Sequence, residues 1–201
     1  MKNSGTAIKD KMEMVKAETG ASKELRDFFI DSLKDIYWAE NALVNTLPKM
    51  AANATSPYLA TMIKEHLAIT RNQIDRLEQV FTILGKKAEG KKCEAMAGLI
   101  AEGDSILRET EQGAVRDAGI ISASQKIEHY EIATYGTICA FAKTLGENEA
   151  AMLLQRTLAE EKEADMLLSD AAYNSINFDA SGAENPDMTT DTKKAPIKNK
   201  K

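Results

Sequence analysis

Four segments of the chain carry an apolar residue every three or four positions, and each of these stripes is interrupted near its middle by a side chain that can bind a metal. Such spacing is typical of one buried face of an α-helix. The stripes consist of Phe29, Leu33, Ile36, Glu40, Leu43 and Leu47; Leu59, Met62 or Ile63, His66, Thr70, Ile74, Leu77 and Phe81; Ile121, Ser124, Glu128, Glu131, Tyr135, Ile138 and Ala142; and Leu154, Leu158, Glu161, Asp165 and Leu168 or Ala172. Only a fold that neutralises these polar groups can bury all four faces.

Turn and capping residues delimit the four helices. The first is predicted from Ser22 to about Ala54, with a kink or an early end at Pro48, because a proline inside a helix removes a backbone donor. Ser56 followed by a proline is a start signal for the second helix, and Gly85 is its end signal. The third is predicted over about 120–145 and the fourth from about residue 148.

The long segment 86–118 separates the second helix from the third and is predicted to contain a shorter helix over roughly 93–111. The sequence therefore predicts an all-α four-helix bundle, made of two antiparallel hairpins joined by a long crossover with an extra short helix. We expect residues 1–21 to be a loose arm, 22–174 to be the bundle domain, and 175–201, where the periodicity is lost, to be a flexible tail.

Composition excludes several classes of protein. Hydrophobic residues at 43% and charged residues at 28% are typical of a globular chain, and only 5% aromatic residues argue against an all-β fold. No apolar run of about 18 residues and no apolar signal core are present, so we expect no membrane segment and a cytoplasmic location. A net charge of −5, from 26 basic and 31 acidic residues, argues against a nucleic-acid partner. Cys93 and Cys139 are expected to be free thiols.

The polar members of the stripes are candidate metal ligands: Glu40, His66, Glu128, Glu131, Glu161 and Asp165. Burial of one unpaired carboxylate costs several kcal/mol, so five would exceed the net stability of about 5–15 kcal/mol that a domain has. No Lys or Arg lies at the stripe positions to neutralise them. Two iron or manganese ions would do so, and helices with Glu-x-x-Glu or Glu-x-x-His spacing hold dinuclear sites of this kind.

Alternatives stay open for several of these side chains. Taken singly, each is more commonly a surface acid or a packing residue. Four glutamates balance two divalent ions, whereas Asp165 adds one negative charge too many, so Asp165 could instead accept the second ring N–H of His66. Tyr37, Tyr135 and Thr70 either hydrogen-bond the carboxylates or only pack in the core.

Five segments carry a family resemblance: DIYWAEN around Glu40, EHLAITRNQIDRLEQVF, KCEAMAGLI, QKIEHYEIATYGT and TLAEEKEAD. Over about residues 22–174 the chain resembles the YciE/YciF-type bacterial stress proteins of the ferritin-like superfamily. That resemblance implies a ferritin-like bundle, usually dimeric, with a rubrerythrin-like dinuclear metal site and induction by osmotic or other stress. By itself it specifies no biochemical reaction.

The resemblance also implies which residues bind metal, namely the six candidates named above. One position departs from the family pattern. Relatives often carry an acid one turn after the histidine, and here that position is Ile69. Either Glu65 substitutes for the missing acid, or the site binds one metal weakly.

Three functions are compatible with these features. In the first, two ferrous ions react with peroxide or oxygen, with Glu131 and Glu161 as candidate bridging ligands. In the second, the bundle is a non-catalytic structural or interaction protein of the stress response, which Ile69 and the lack of a four-cysteine iron site favour. The third, iron storage in a hollow shell, is the weakest. A homodimer is expected, because Trp38, Met50, Met62 and the 96–106 helix exceed what one bundle seam holds.

Overall fold

The computed structural model describes residues 18–22 and 24–183. Over this part of the chain the secondary structure is helical. In chain order the elements are α1 (Leu25–Asn53), α2 (Pro57–Ile83), α3 (Glu94–Glu109), α4 (Ala114–Thr144), α5 (Asn148–Ala171), a π-helical turn (Ala172–Ile176) and α6 (Asn177–Ser181). Within the described residues, none of these helices combines the length and the apolar character needed to cross a membrane.

The long helices pack as the sequence predicts. α1 and α2 form one hairpin, α4 and α5 form the other, and α3 lies in the crossover between them, against α4. The two hairpins meet through contacts of α2 with α5 and of α1 with α4. The predicted four-helix bundle with an extra helix in its crossover is confirmed.

Helix ends follow the capping signals, with one exception. Ser56 accepts a hydrogen bond from the Leu59 N–H at the start of α2, and Gly85 and Gly146 follow α2 and α4 with φ of 65° and 76°. The early end predicted at Pro48 is wrong, because α1 continues through it to Asn53. Residues on both sides of the proline are buried in the core, and this packing offsets the loss of one backbone hydrogen bond.

The crossover is held close to the bundle. α4 begins at Ala114, earlier than predicted, and its first turn carries the buried Asp117. Asp117 accepts hydrogen bonds from the backbone N–H groups of Thr55 and Ser56, at 2.7 and 2.8 Å, so it fixes the loop between α1 and α2. At Gly119, a Cβ would lie 2.6 Å from Ile106 Cγ2, which shows how closely α3 and α4 approach.

The C-terminal part of the described chain remains helical beyond the predicted domain end at residue 174. The π-helical turn and α6 continue to Ser181, and Ile176 is buried against the core. Most of the predicted N-terminal arm and the predicted tail from residue 184 onward lie outside the described residues.

The core contains most of the predicted stripe positions and part of the predicted dimer face. Met50 and Met96 are 4% and 0% exposed and belong to the chain's own core, and Trp38 packs against it. Because these side chains are covered within one chain, they provide no argument for a second copy.

Candidate metal centre

The middles of three helices bring four of the predicted ligands to one point. His66 on α2, Glu128 and Glu131 on α4, and Glu161 on α5 each offer a ligand atom, and these atoms all lie within 4.8 Å of one another. All four side chains are buried. Glu128 and Glu131 are three positions apart, so they lie on one face of α4 and point the same way.

The spacing within this cluster suits ligands that share an ion. His66 Nε2 lies 3.5 Å from Glu128 Oε1 and 3.8 Å from Glu161 Oε2. At metal–ligand distances of about 2.1 Å, two atoms bound to one ion lie about 3 to 4 Å apart.

Glu40 of α1 lies beside the cluster. It is completely buried, and its Oε1 accepts a hydrogen bond of 2.5 Å from the Tyr135 hydroxyl. Besides burial, the charge of Glu161 raises the pKa of Glu40, and the charge of Glu40 raises the pKa of Glu131, so Glu40 lies close to both. All four long helices therefore supply an acid or a histidine to the middle of the bundle.

Asp165 does not join the cluster. Its Oδ1 lies 3.3 Å from His129 Nε2 and 3.4 Å from Gln125 Nε2, and about a quarter of its side chain is exposed (23%). The alternative role suggested for Asp165, acceptance of a hydrogen bond from His66, is not observed either, because the aspartate is turned toward His129 and Gln125 on a different face of α4. The structure thus separates Asp165 from the other predicted ligands.

Of the three hydroxyl groups predicted to support the carboxylates, one contacts the cluster and two do not. Tyr135 hydrogen-bonds a carboxylate of the centre. Tyr37 instead donates to Glu78 at 2.8 Å, and Thr70 donates to the backbone carbonyl of His66 at 3.0 Å. Glu65, the suggested substitute for the missing acid, is exposed and outside the cluster.

Gln73 is a site residue that the sequence pattern did not single out. It is completely buried, and its side-chain amide donates to Glu161 Oε1 and, at 3.2 Å, to Glu160 Oε2. The available signal was its position seven residues after His66, which is two helical turns along the same face. The predicted apolar stripe of α2 contains Ile74 in place of Gln73, but Ile74 is only partly buried.

Arg76 is the second residue that was missed. It forms two hydrogen bonds of 2.8 Å with the carboxylate of Glu160 and one of 2.6 Å with Thr157 Oγ1. Burial raises the pKa of Glu40 and of Glu161, and the positive charge of Arg76 partly opposes this increase. Since Glu160 accompanies it, this pair adds little net charge to the centre.

Burial dominates the electrostatics of the cluster. Desolvation, followed by the mutual repulsion of the carboxylates, raises the pKa of Glu40, Glu128 and Glu131 well above the ordinary value. Desolvation raises the pKa of Glu161 to about 7 and lowers the pKa of His66 to about 4. The imidazole is therefore neutral at pH 7 and able to act as a ligand.

Several atoms of the centre lack a hydrogen-bond partner. Among the described residues, the buried oxygens and nitrogens without one include Glu40 Oε2, His66 Nδ1, Glu128 Oε2, both oxygens of Glu131 and Glu161 Oε2. Unpaired buried acceptors are costly, and carboxylate oxygens with one imidazole are ligands that iron and manganese accept. The residues present fit a metal centre.

Comparison with known proteins identifies the family of this chain. A family model described as "domain of unknown function (DUF892)" matches residues 24–181. The chain belongs to this family. This DUF892 chain is 44% identical to the protein YciF of Escherichia coli strain K12. The match extends over 156 residues, which cover 77% of this chain and 94% of YciF.

Solved structures agree with the fold of this DUF892 chain. The crystal structure of the E. coli stress protein YciF matches with a TM-score of 0.75 and 43% identity, over 78% of this chain and 99% of that chain. YcfI of Rhodopseudomonas palustris, described as a candidate structural protein, matches with a TM-score of 0.74 and 40% identity, over 76% and 98% of the two chains. A Xanthomonas campestris protein at 20% identity shares the fold (TM-score 0.65; 79% and 98% covered). The YciF-type resemblance and the ferritin-like bundle are confirmed.

Proposed function

We propose that this protein holds two divalent iron or manganese ions at the middle of its bundle and acts in the stress response by reacting with a small oxidant, peroxide or oxygen. The observation that carries the proposal is the set of buried carboxylate oxygens without protein partners around a neutral imidazole. A protein gains nothing in stability from burying such groups alone, so a bound cation is the simplest reason for their presence.

Charge balance supports two ions rather than one. Glu40, Glu128, Glu131 and Glu161, when ionised, supply four negative charges, and His66 supplies none. Two divalent cations supply four positive charges. Asp165 is not needed for this balance, in agreement with its position beside His129.

The chain's own residues would orient the ligands. Tyr135 holds one oxygen of Glu40, and Gln73 holds one oxygen of Glu161, so each carboxylate keeps its second oxygen free to bind a metal. Bound iron or manganese would supply the electrons that a reaction with peroxide or oxygen needs. Little of the cluster is exposed to solvent, because each of its side chains is buried.

The stress-response part of the proposal is supported by the E. coli relative, which is called a stress protein. A homodimer is also proposed. Its support is the exposure of large apolar side chains, such as Tyr58, Met166 and Tyr173, at 58%, 57% and 74%. Sizing chromatography with light scattering tests it, and would at the same time reveal a storage shell.

Metal analysis of the aerobically purified protein tests the main proposal. We expect about two iron or manganese atoms per chain, and a change in the near-ultraviolet and visible spectrum when peroxide is added to the reduced protein. Glu131→Gln should lose metal, whereas Glu149→Gln, at an exposed position of α5, should not. The proposal would be refuted if the wild-type protein binds no metal after incubation with ferrous iron and its stability is the same with and without the iron.

A structural role without turnover is the second candidate, and the description of YcfI favours it. Ile69, an apolar residue at the position where the family resemblance implies an acid, points the same way. The two roles differ in the effect of Glu131→Ala on stress survival of the host. Survival should be lost if the metal centre reacts with an oxidant and retained if the bundle acts only through its surface.

A further inference from the structure

The buried face of α2 offers an oxygen donor that the predicted ligand set does not contain. Gln73 is completely buried, and its amide oxygen Oε1 has no hydrogen-bond partner among the described residues. All but one of the other buried side-chain atoms in this condition belong to the residues proposed to bind metal. An unpaired buried acceptor costs about 1–3 kcal/mol, and a cation bound to it would remove that cost.

The nitrogen of the same amide fixes where this oxygen lies. Gln73 Nε2 donates to Glu161 Oε1 and, at 3.2 Å, to Glu160 Oε2, and of the two amide atoms only the nitrogen can donate. The amide nitrogen and oxygen are bonded to one carbon and are about 2.3 Å apart, so Oε1 lies within about 5 Å of Glu161 Oε1. The terminal torsion of a glutamine side chain is soft, so a small rotation is enough to bring Oε1 within reach of an ion that Glu161 binds.

The position of Gln73 along the bundle assigns it to one end of the cluster. α2 and α4 run in the same direction, because the first turn of α4 bonds the loop that precedes α2. On these helices, His66 lies 3.5 Å from Glu128. Gln73 and Tyr135 each follow seven residues later, about 10 Å further along. Since Tyr135 bonds Glu40, Gln73 lies at the Glu40 end of the cluster and His66 lies at the Glu128 end.

The two ends of the cluster suit two different ions, which in two-metal sites are about 3.5–4 Å apart. The ion at one end has the imidazole of His66, whereas the predicted ligands at the Glu40 end are all carboxylates. Thr70, between His66 and Gln73 on the buried face of α2, uses its hydroxyl to bond the His66 carbonyl at 3.0 Å. Gln73 is therefore the α2 side chain that can add a donor at the Glu40 end.

We infer that Gln73 binds the ion nearer to Glu40 through its amide oxygen, as a neutral ligand. Carbonyl oxygens are ligands that Mn²⁺ accepts. An amide adds a donor without adding charge, so the balance between four carboxylates and two divalent ions is unchanged. This inference rests on the proposed function, and it adds to the ligand set a residue that the apolar spacing of the sequence does not indicate.

Anaerobic titration of the full chain with Mn²⁺, in competition with a chelator, tests the inference. We expect the wild type to bind two ions. Gln73→Leu has neither the amide oxygen nor the N–H, so it should bind the second ion at least about tenfold more weakly. Gln73→Glu lacks the N–H but keeps an oxygen ligand, so it should bind both ions within about threefold of the wild-type affinity. Gln79→Leu, at an exposed position of the same helix, is the matched control and should bind as the wild type does.

The outcomes separate the role of Gln73 from the proposed metal centre. A wild-type protein that binds fewer than two Mn²⁺ ions would overturn both. If the wild type binds two ions and folded Gln73→Leu binds them equally well, only the role of Gln73 is refuted. Loss of the second ion in Gln73→Glu would show that the residue acts only as an N–H donor to Glu161, which also refutes it. Circular dichroism checks folding, and Gln73→Glu decides the question if Gln73→Leu does not fold.

Discussion

The hydroxyl of Tyr135 donates a 2.5 Å hydrogen bond to Oε1 of Glu40, and both side chains are completely buried. This contact joins α4 to α1 at the height of the candidate metal centre. It fixes one oxygen of the glutamate and leaves Oε2 facing the interior without a partner. A hydroxyl that orients a ligand in this way is a general means of tuning metal affinity.

Replacing this hydroxyl should therefore weaken metal binding. Tyr135→Phe is expected to lower the free energy of unfolding by about 1–3 kcal/mol, because Glu40 loses a buried partner, and to lower metal affinity about 10–100-fold. Denaturant titration and competition with a chelator measure the two effects. Tyr37→Phe is the control, since Tyr37 bonds Glu78 outside the cluster. Wild-type affinity in Tyr135→Phe would show that the contact does not orient a ligand.

Stability of the metal-free protein should fall as the pH rises above about 6.5. Glu40, Glu128 and Glu131 have pKa values raised well above 4.5, and the pKa of Glu161 is raised to about 7, so the folded chain retains protons that the unfolded chain has lost. Wherever the folded state binds more protons, the free energy of unfolding decreases with pH. His66, with its pKa lowered to about 4, acts in the opposite sense only below 6.5.

Urea titrations in EDTA at pH 6.5, 7.5 and 8.5 measure this dependence. Glu131→Gln removes one of the titrating groups, so its stability should fall less over the same range. A metal-free protein that becomes more stable between pH 6.5 and 8.5 would be incompatible with protonated carboxyls in the core.

Asp117 should be a major determinant of stability. Its carboxylate accepts two backbone hydrogen bonds from the loop between α1 and α2, and it is 3% exposed. Asp117→Ala leaves both N–H groups without this acceptor and should cost about 2–4 kcal/mol in thermal or urea unfolding. Asp104→Ala removes a surface ion pair with Lys49 and should cost less than about 1 kcal/mol. Equal effects of the two variants would mean that Asp117 does not hold the loop.

Both thiols should react slowly in the folded protein. Cys93 and Cys139 are free, 1% and 3% exposed, and burial raises the pKa of each. Cys93 also lies 3.0 Å from the hydroxyl of Tyr130, which donates to Asp35 at 2.7 Å. Ellman's reagent at pH 8 should label neither thiol within minutes but both in guanidinium chloride. Rapid labelling of the native chain would contradict this burial.

The sequence predicts the buried positions of a helix correctly where the apolar spacing allows only one stripe. On α1 and α4 every predicted stripe residue is buried, and Glu40, Glu128 and Glu131 lie at the middle of the bundle as expected. On α2, steps of three and four residues from Thr70 were both allowed, and preference for an apolar residue selected Ile74 over the buried Gln73.

The site features that the sequence does not predict depend on contacts between helices. Asp165 follows Glu161 by four residues, so it was placed on the same face, but the orientation of α5 against α4 turns it toward His129. Arg76 is held beside the centre by hydrogen bonds to Glu160 and Thr157, which lie on another helix. One helix's periodicity contains no information about the rotation of its neighbour, and only the packed structure reveals such partners.

The distribution of the cluster over the chain has a consequence during synthesis. The first hairpin supplies Glu40 and His66, whereas Glu128, Glu131 and Glu161 belong to the second, so neither hairpin alone contains a complete set. During translation, the complete set of these side chains therefore exists only once α5 has emerged from the ribosome. Completion of the cluster and closure of the bundle around it thus depend on the same last long helix.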